Sequence, residues 1–344
     1  MKNNTPETSP QWSLSSVWNA AVLAREPREL KARDRIWASE LGKGIADVVL
    51  KMRAEPMTNP PNARSMRKFE AGNIFEWIVR IVLIRAGILK SSQDWLQFQY
   101  PDLCAVSGKL DFIAGGIPKY DNALELIEQL ELPEVLSRSM KAVVAYLQEK
   151  YPSGVSERIL EVKSISSFMF EALEKTGKAS QNHRMQLFHY LKCKEMNRGD
   201  IIYICRDDLR MMEIAVSKDE KTELEYKSYI EEITRVYKSG ELPLLEPKIK
   251  YDNDVEKFAK NWNVAYSSYL TKLYGIKDQM EFDETYQPIA QQWNRVLSRK
   301  RAGKDMTEKN KVIIETIKAE GFDFDALAAR ASVAEEDVED ENNQ

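Results

Sequence analysis

Cysteine is scarce in this sequence. There are three, Cys104, Cys193 and Cys205, widely spaced and each set in an apolar stretch. That spacing argues against a disulfide framework or a zinc site and fits reduced, buried thiols without a redox role. Long apolar runs are missing too. No segment is long enough to span a bilayer, and residues 1–10 are polar, unlike the apolar stretch of a secretory signal. The expectation is a cytoplasmic protein with no membrane partner. An excess of positive charge is also absent: 50 Lys and Arg stand against 54 Asp and Glu, a formal net charge of -4. Such a chain does not coat nucleic acid by bulk electrostatics. Any contact of that kind must be local, at clusters such as Arg64, Arg67 and Lys68, or Arg299, Lys300, Arg301 and Lys304. The second cluster reads first as a solvated helix face.

What the chain does have is size and pattern. Its 344 residues, 43% hydrophobic and 30% charged, can bury a substantial core in one large or two modest domains. Residues 18–52 read as an amphipathic helix broken near Pro27, within a helical N-terminal extension (1–63) that closes at Asn59, Pro60 and Pro61. A helix resumes near Arg64, carries Phe69, Phe75, Ile78, Val79 and Val82 toward a core, and stops at Gly87. The alternation of Leu96-Gln97-Phe98-Gln99-Tyr100 predicts a strand, and a second strand-like run covers 108–114. Residues 117–157 form an insert with helical patterns at 124–132 and 135–150, bounded by Pro118 and by the Pro152 to Gly154 turn. A strand follows at 159–164, a helix at 180–196, and a hairpin-like pair at 200–205 and 211–216. The remainder, 218–334, reads as helix, and the acidic end, 335–344, as a disordered tail. The order predicts a mixed α/β (α+β) protein, a mixed central sheet with helices packed on it and helical extensions at both ends.

Four pieces of the sequence carry chemistry. In Leu160-Glu161-Val162-Lys163-Ser164 a strand sets Leu160 and Val162 on the buried face and puts Glu161 and Lys163 together on the other. A carboxylate there can hold a divalent cation. The ammonium beside it can orient a water or stabilise charge on a phosphate under attack. The spacing alone is weak, since it recurs in Glu29-Leu30-Lys31, Glu225-Tyr226-Lys227 and Glu246-Pro247-Lys248, and taken by itself the pair reads first as an exposed cross-face ion pair. Asp111 lies inside the apolar run Leu110-Asp111-Phe112-Ile113, where aspartate is disfavoured unless it ends a turn or serves as a second metal ligand. Glu76 is set among Ile74, Phe75, Trp77 and Ile78, with Arg80 four residues on as a ready ion-pair partner. Gln186 and Tyr190 share one helical face, one turn apart.

In this order, Gly72 with Glu76, Gly108 with Asp111, Glu161-Val162-Lys163, and the Q-x-x-x-Y pair Gln186 and Tyr190, the sequence resembles the RecB-like branch of the PD-(D/E)XK nucleases. Ser39-Glu40-Leu41-Gly42 and Lys163-Ser164-Ile165-Ser166 are similar to that branch as well. The resemblance implies a restriction-endonuclease-like core over about 64–217. It implies that Glu76, Asp111, Glu161 and the Val162 carbonyl hold Mg2+ or Mn2+, with Lys163 as the catalytic lysine. Gln186 and Tyr190 would position DNA or support the site, and Arg64, Arg67 and Lys68 would contact DNA. The implied reaction is phosphodiester hydrolysis by metal-activated water. The activity implied is that of a DNA exonuclease in replication, recombination or repair. A structure-specific endonuclease, or a non-catalytic DNA-binding or assembly protein on the same core, stays open. DNA is the implied partner, with a recombination or single-strand-binding protein as a further candidate. One departure concerns an iron-sulfur cluster that several members of the branch carry. In Trp262-Asn263-Val264-Ala265-Tyr266-Ser267-Ser268-Tyr269 the aromatic frame is kept, but Val264 and Ser267 stand at the cysteine positions, so no cluster is expected. The cysteine-free pattern is similar to phage-encoded members, and the aromatics are read as core.

Overall fold

The structure, a computed structural model, describes residues 13–24, 31–116, 120–252 and 257–328. The tail at 335–344 and the breaks at Pro27 and Pro118 lie outside the described residues. The chain divides into two compact units: Met1–Lys43 with Lys51–Ala54 and Pro61–Gly240, and Gly44–Leu50 with Glu55–Pro60 and Glu241–Gln344.

The first unit opens with α1 (Leu14–Leu23) and β1 (Arg35–Trp37), after which a 3-10 turn spans Ala38–Glu40. The next helix, α2 (Ile45–Met52), starts in the second unit and ends in the first. The single broken helix expected over 18–52 is therefore interrupted by a strand. Ile36 in β1 is wholly buried, and the strand pairs in parallel through Arg35↔Ala105 to Trp37↔Ser107, so tertiary pairing overrides local helical pattern. Then come α3 (Ala63–Arg85), β2 (Leu89–Ser92), β3 (Trp95–Phe98), β4 (Ala105–Lys109) and β5 (Phe112–Gly116). Asn62 caps α3 by accepting the Ser65 N–H at 2.9 Å. Gly87, at φ 69°, ends it in the left-handed turn, and the Ile88 N–H donates to the Leu83 carbonyl at 3.1 Å. The inward face of α3 is narrower than expected: Val79 and Leu83 are buried, whereas Phe69, Ile78 and Val82 are exposed.

Two helices, α4 (Tyr120–Gln129) and α5 (Glu134–Lys150), pack on each other through Ile127, Val144 and Leu147. They return the chain to β6 (Val155–Ile165), followed by α6 (Ser167–Thr176), α7 (Gln181–Cys193), β7 (Arg198–Cys205), β8 (Met211–Ser217) and α8 (Glu220–Ser239). Five strands form a mixed sheet in the order β2-β5-β6-β7-β8, with β6 and β7 parallel and the other pairs antiparallel. A separate sheet has the order β1-β4-β3. The parallel pair needs a crossover, and α6 and α7 supply it. Buried from Gly199 to Cys205, β7 is a central strand with both faces covered. On one face Val79 and Leu83 of α3 meet Phe112, Leu160, Ile202 and Ile204. Alternation turns Glu161 and Lys163 to the opposite face, toward α7.

The second unit contains a two-stranded antiparallel hairpin, β9 (Ile249–Asp252) and β10 (Lys257–Lys260), in a stretch expected to be helical throughout. Phe258 buries its ring against Trp293, and that packing holds the hairpin where no periodic signal marked it. Helices α9 (Trp262–Ala265), α10 (Leu270–Tyr274), α11 (Gln279–Arg301) and α12 (Glu308–Ala319) complete the unit around Phe282, Trp293, Val296 and Ile317. The aromatic frame divides: Tyr269 is core, but Trp262 and Tyr266 stack on each other at the surface. Val264 is buried, and Ser267 donates its hydroxyl to Asp47.

Candidate metal centre

The run predicted as one strand over 108–114 is two strands in two sheets, and Asp111 sits in the break. The Gln93 N–H donates to the Asp111 carbonyl at 3.2 Å and the Leu110 N–H to that of Asp94 at 3.1 Å, so the crossing is tied to the turn between β2 and β3. An aspartate is tolerated because this residue leaves one ladder and enters another. The β5 and β6 register, Phe112↔Leu160, Ile113↔Ile159 and Ala114↔Arg158, carried one residue further, places Asp111 opposite Glu161. Directly opposite residues share a face.

The site is a continuous hydrogen-bonded chain. Asp111 Oδ2 accepts the Val162 N–H at 2.8 Å. Lys163 Nζ donates to Glu161 Oε1 at 2.6 Å and to Gln186 Oε1 at 3.0 Å. Gln186 Nε2 donates to Tyr190 Oη at 3.3 Å, and Tyr190 Oη donates to the Lys109 carbonyl at 2.8 Å, two residues before Asp111. The helical spacing of Gln186 and Tyr190 thus closes a ring from β6 through α7 back to β4. The Glu161 side chain is 1% exposed and its Oε2 has no hydrogen-bond partner. An orphaned carboxylate oxygen in a buried setting costs on the order of 1–3 kcal/mol or more. The atom is therefore poised for a ligand.

Glu76 stands on α3 near enough for its charge to be felt by Asp111, Glu161 and Lys163, but its hydrogen bond goes elsewhere: Gln93 Nε2 donates to Glu76 Oε1 at 2.6 Å. As they stand, no three His, Cys, Asp or Glu side chains among the described residues are gathered closely enough to hold a metal ion. The electrostatics nevertheless mark a site that lacks positive charge. Burial, and then the charge of Glu161, hold the Asp111 carboxyl well above the ordinary carboxylate range, against the opposing pull of Lys163. Burial raises Glu76 as well, and Glu161 adds to it. Burial works to lower the Lys163 ammonium, but Glu161 and Asp111 outweigh it and raise it, so the lysine stays charged. Two of its three N–H donors are committed, which leaves one for a bound group. The Tyr190 phenol is pushed well up by burial and by Glu161, and so remains a neutral donor. The donor set fits a small, hard divalent cation such as Mg2+ or Mn2+: carboxylate oxygens only, one of them buried and unpartnered.

The remaining predicted residues are placed apart from this ring. Arg64 and Lys68 are exposed near the start of α3, while the Arg67 guanidinium lies over the Trp18 ring of α1 and donates to Asn19. The alternative reading of Glu76 as an ion-pair partner of Arg80 is not what the structure shows: Arg80 lies over the Trp77 ring, 5.2 Å from its centroid. Gln93 was not found from the sequence. It holds a left-handed backbone (φ 59°) that tertiary bonds impose on a non-glycine residue, though the polar stretch Ser91-Ser92-Gln93-Asp94 is a fair turn signal. His183 was missed too, and its Nδ1 lies 3.0 Å from Tyr203 Oη.

The chain has two histidines, and both are held neutral. Burial lowers His183 to about 3, helped by the Lys163 charge, and burial lowers His189 to about 3. The unfolded chain takes up those protons near pH 6.5 and the folded one only near 3. Stability contributed by the neutral rings is therefore complete above pH 6.5 and is lost as pH falls toward 3. For wholly buried His189 the slope is about 1.4 kcal/mol per pH unit at most. Denaturant melts between pH 7 and 4 should show this fall, and His189→Gln should remove about one proton from the slope. An unchanged slope in the variant would contradict the assignment.

No family model and no curated protein matches the chain. Among solved structures, it is similar to a protein named SSO0001, with a TM-score of 0.43 and 12% identity over 77% of this chain and 96% of that one. It is also similar to LHK-Exo, the alkaline exonuclease of Laribacter hongkongensis, in complex with dAMP (TM-score 0.38, 13% identity, 65% of this chain and 93% of that one). A phage-related exonuclease of Haemophilus somnus 129PT gives a TM-score of 0.29 at 12% identity, covering 60% of this chain and 94% of that one. Likenesses at these scores carry no weight for activity, which is read from the site itself.

Proposed function

We propose that this chain is a divalent-metal-dependent deoxyribonuclease, an exonuclease hydrolysing DNA phosphodiester bonds. The observation that carries the reading is the buried, unpartnered Glu161 Oε2, set among Asp111, Glu76 and a charged Lys163. The resemblance of the sequence to RecB-like nucleases supports the exonuclease form.

Glu161 and Asp111 would hold Mg2+ or Mn2+, with Glu76 as a further carboxylate and the Val162 carbonyl as a backbone ligand. When bound, the metal would supply an activated water and neutralise charge on the phosphate. The chain's own residues do the rest. The Val162 N–H fixes one Asp111 oxygen and so sets the direction of the other. Gln186 and Glu161 hold the Lys163 ammonium in place, and its third N–H is available to a phosphate oxygen as negative charge develops there. Because the ammonium is stabilised, Lys163 acts as a fixed positive charge and not as a proton acceptor. Tyr190 ties Gln186 to β4 and keeps the lysine's support rigid.

Purified protein incubated with end-labelled linear and circular DNA should degrade the linear form when Mg2+ or Mn2+ is present and spare both forms in chelator. Calorimetry should show the ion binding with proton release, since raised carboxyls must ionise. Absence of both cleavage and ion binding would remove the proposal, and nicking of the circle would replace the exonuclease with an endonuclease.

A further inference from the structure

Beside the carboxylates lies a cavity of about 350 Å³ lined by Asn73, Glu76, Trp77, Arg80 and Gln93. Its volume is at the small end of those that take a small molecule. We propose that it is a subsite for one unpaired nucleobase, next to the phosphate handled at the metal centre. The inference rests on the nuclease reading and names the substrate form it acts on.

Three observations point to a base. Trp77 is 61% exposed although it belongs to a helix that buries Val79 and Leu83. The Arg80 guanidinium lies over this ring, 5.2 Å from its centroid, and the residue stays largely exposed beneath it. An indole braced by a cation offers a stacking platform to any base, and such stacking tolerates sequence. The walls are amides: Asn73, one turn before Trp77, and Gln93, each with a donor and an acceptor that can meet a base edge. Glu76 belongs both to this wall and, by its charge, to the metal centre, so the two places serve adjacent parts of one nucleotide chain. A base that stacks on Trp77 while its edge meets amides cannot also be paired, so the occupant is a single strand or a frayed end.

The same helix exposes Ile74, Ile78, Ile81 and Val82, an apolar stripe that would suit a protein partner. The cavity differs from that stripe in its lining, which holds a carboxylate, a guanidinium and two amides.

The test uses the full chain in Ca2+, with a single-stranded oligonucleotide, versions of it with one abasic nucleotide at successive positions, and a blunt duplex. Wild type should prefer the single strand to the duplex, and one abasic position should weaken binding about tenfold, within the range for loss of a base stack. Trp77→Ala should bind the intact strand about tenfold more weakly and lose its sensitivity to that abasic position, whereas Trp77→Phe should keep most of both. In Mg2+ the alanine variant should raise KM with a smaller change in kcat. Affinity and abasic sensitivity unchanged in Trp77→Ala would overturn the subsite while cleavage by wild type left the nuclease reading standing. Trp77-dependent binding without cleavage by wild type in any metal would do the reverse. Loss of self-association in Trp77→Ala, with DNA affinity intact, would assign this face to a second copy of the chain and overturn the proposal.

Discussion

Lys163→Ala and Asp111→Ala should each lower DNA cleavage by about two to four orders of magnitude, the usual cost of losing one catalytic group, and they should do so by different routes. Asp111 is proposed as a direct ligand, so its loss should weaken Mg2+ or Mn2+ binding, and raising the ion concentration should recover part of the activity. Lys163→Ala removes the cation paired with Glu161 and should leave ion binding intact or stronger, because repulsion of the ion is reduced. Extra metal should not rescue it. The alanine also leaves Glu161 with neither oxygen partnered, in a setting where breaking a buried pair costs about 3 kcal/mol or more. Some of that is discounted because the Lys163 side chain is 22% exposed. The metal-free variant should melt below wild type, and the gap should narrow when the ion binds the freed carboxylate. Calorimetric titration, thermal melts with and without metal, and cleavage assays would separate these effects. Cleavage at the wild-type rate by folded Lys163→Ala would end the nuclease mechanism.

Gly108→Val is expected to have the second-largest effect, on stability and cleavage together. A Cβ built on Gly108 would come within 2.6 Å of Ala38 Cβ and 2.9 Å of Tyr190 Oη. Neither neighbour can yield easily. Ala38 is wholly buried in the 3-10 turn, and Tyr190 is buried and bonded to the Lys109 carbonyl and to Gln186. Overpacking of this kind costs about 1–3 kcal/mol, and a β-branched side chain belongs at the upper end. Relief by moving Tyr190 would release Gln186 and, through it, Lys163, so cleavage should fall further than the melting temperature alone explains. Gly72→Ala is the control, since its Cβ would meet Ser164 Oγ at an ordinary 3.6 Å. Equal stability of Gly108→Val and Gly72→Ala proteins would show that the close approach at Gly108 is not required.

Two neighbour relations among the candidate residues were legible from periodicity, while their proposed roles came from the resemblance. The two-residue alternation of a strand puts Glu161 and Lys163 side by side, and the turn of a helix puts Gln186 under Tyr190. Both relations are local, and the structure shows both in the hydrogen-bonded ring. The mixed α/β class and the paired strands 200–205 and 211–216 were legible for the same reason. What failed was non-local. The apolar run through Asp111 keeps one period while it crosses from one sheet to another, so nothing in it marks the break at Leu110 and Asp111. The three residues of β1 are too few to show any period, and only their pairing with β4 makes them a strand. Along α3 apolar residues lie on every side, which leaves the inward face to be decided by what it packs against. Gln93 reaches Glu76 from a backbone conformation that no residue preference favours.

The helices α4 and α5 leave the sheet at a revealing point. Asp111 lies just before β5 and Glu161 late in β6, yet the chain departs for these helices after Gly116 and returns at Val155, a pair at the far end of the same ladder. Gly115, at φ 122°, lets the strands approach there, where a side chain would strike the Ser156 carbonyl. In effect β5 and β6 are an ordinary hairpin whose turn has been enlarged into a small helical module, leaving at Gly116 and returning at Val155, roughly 17–20 Å of strand from the carboxylates. A change in the length of that module should leave the proposed metal centre in place, because the ladder between them fixes the register. The proposed metal centre and the helical excursion thus lie toward opposite ends of one hairpin.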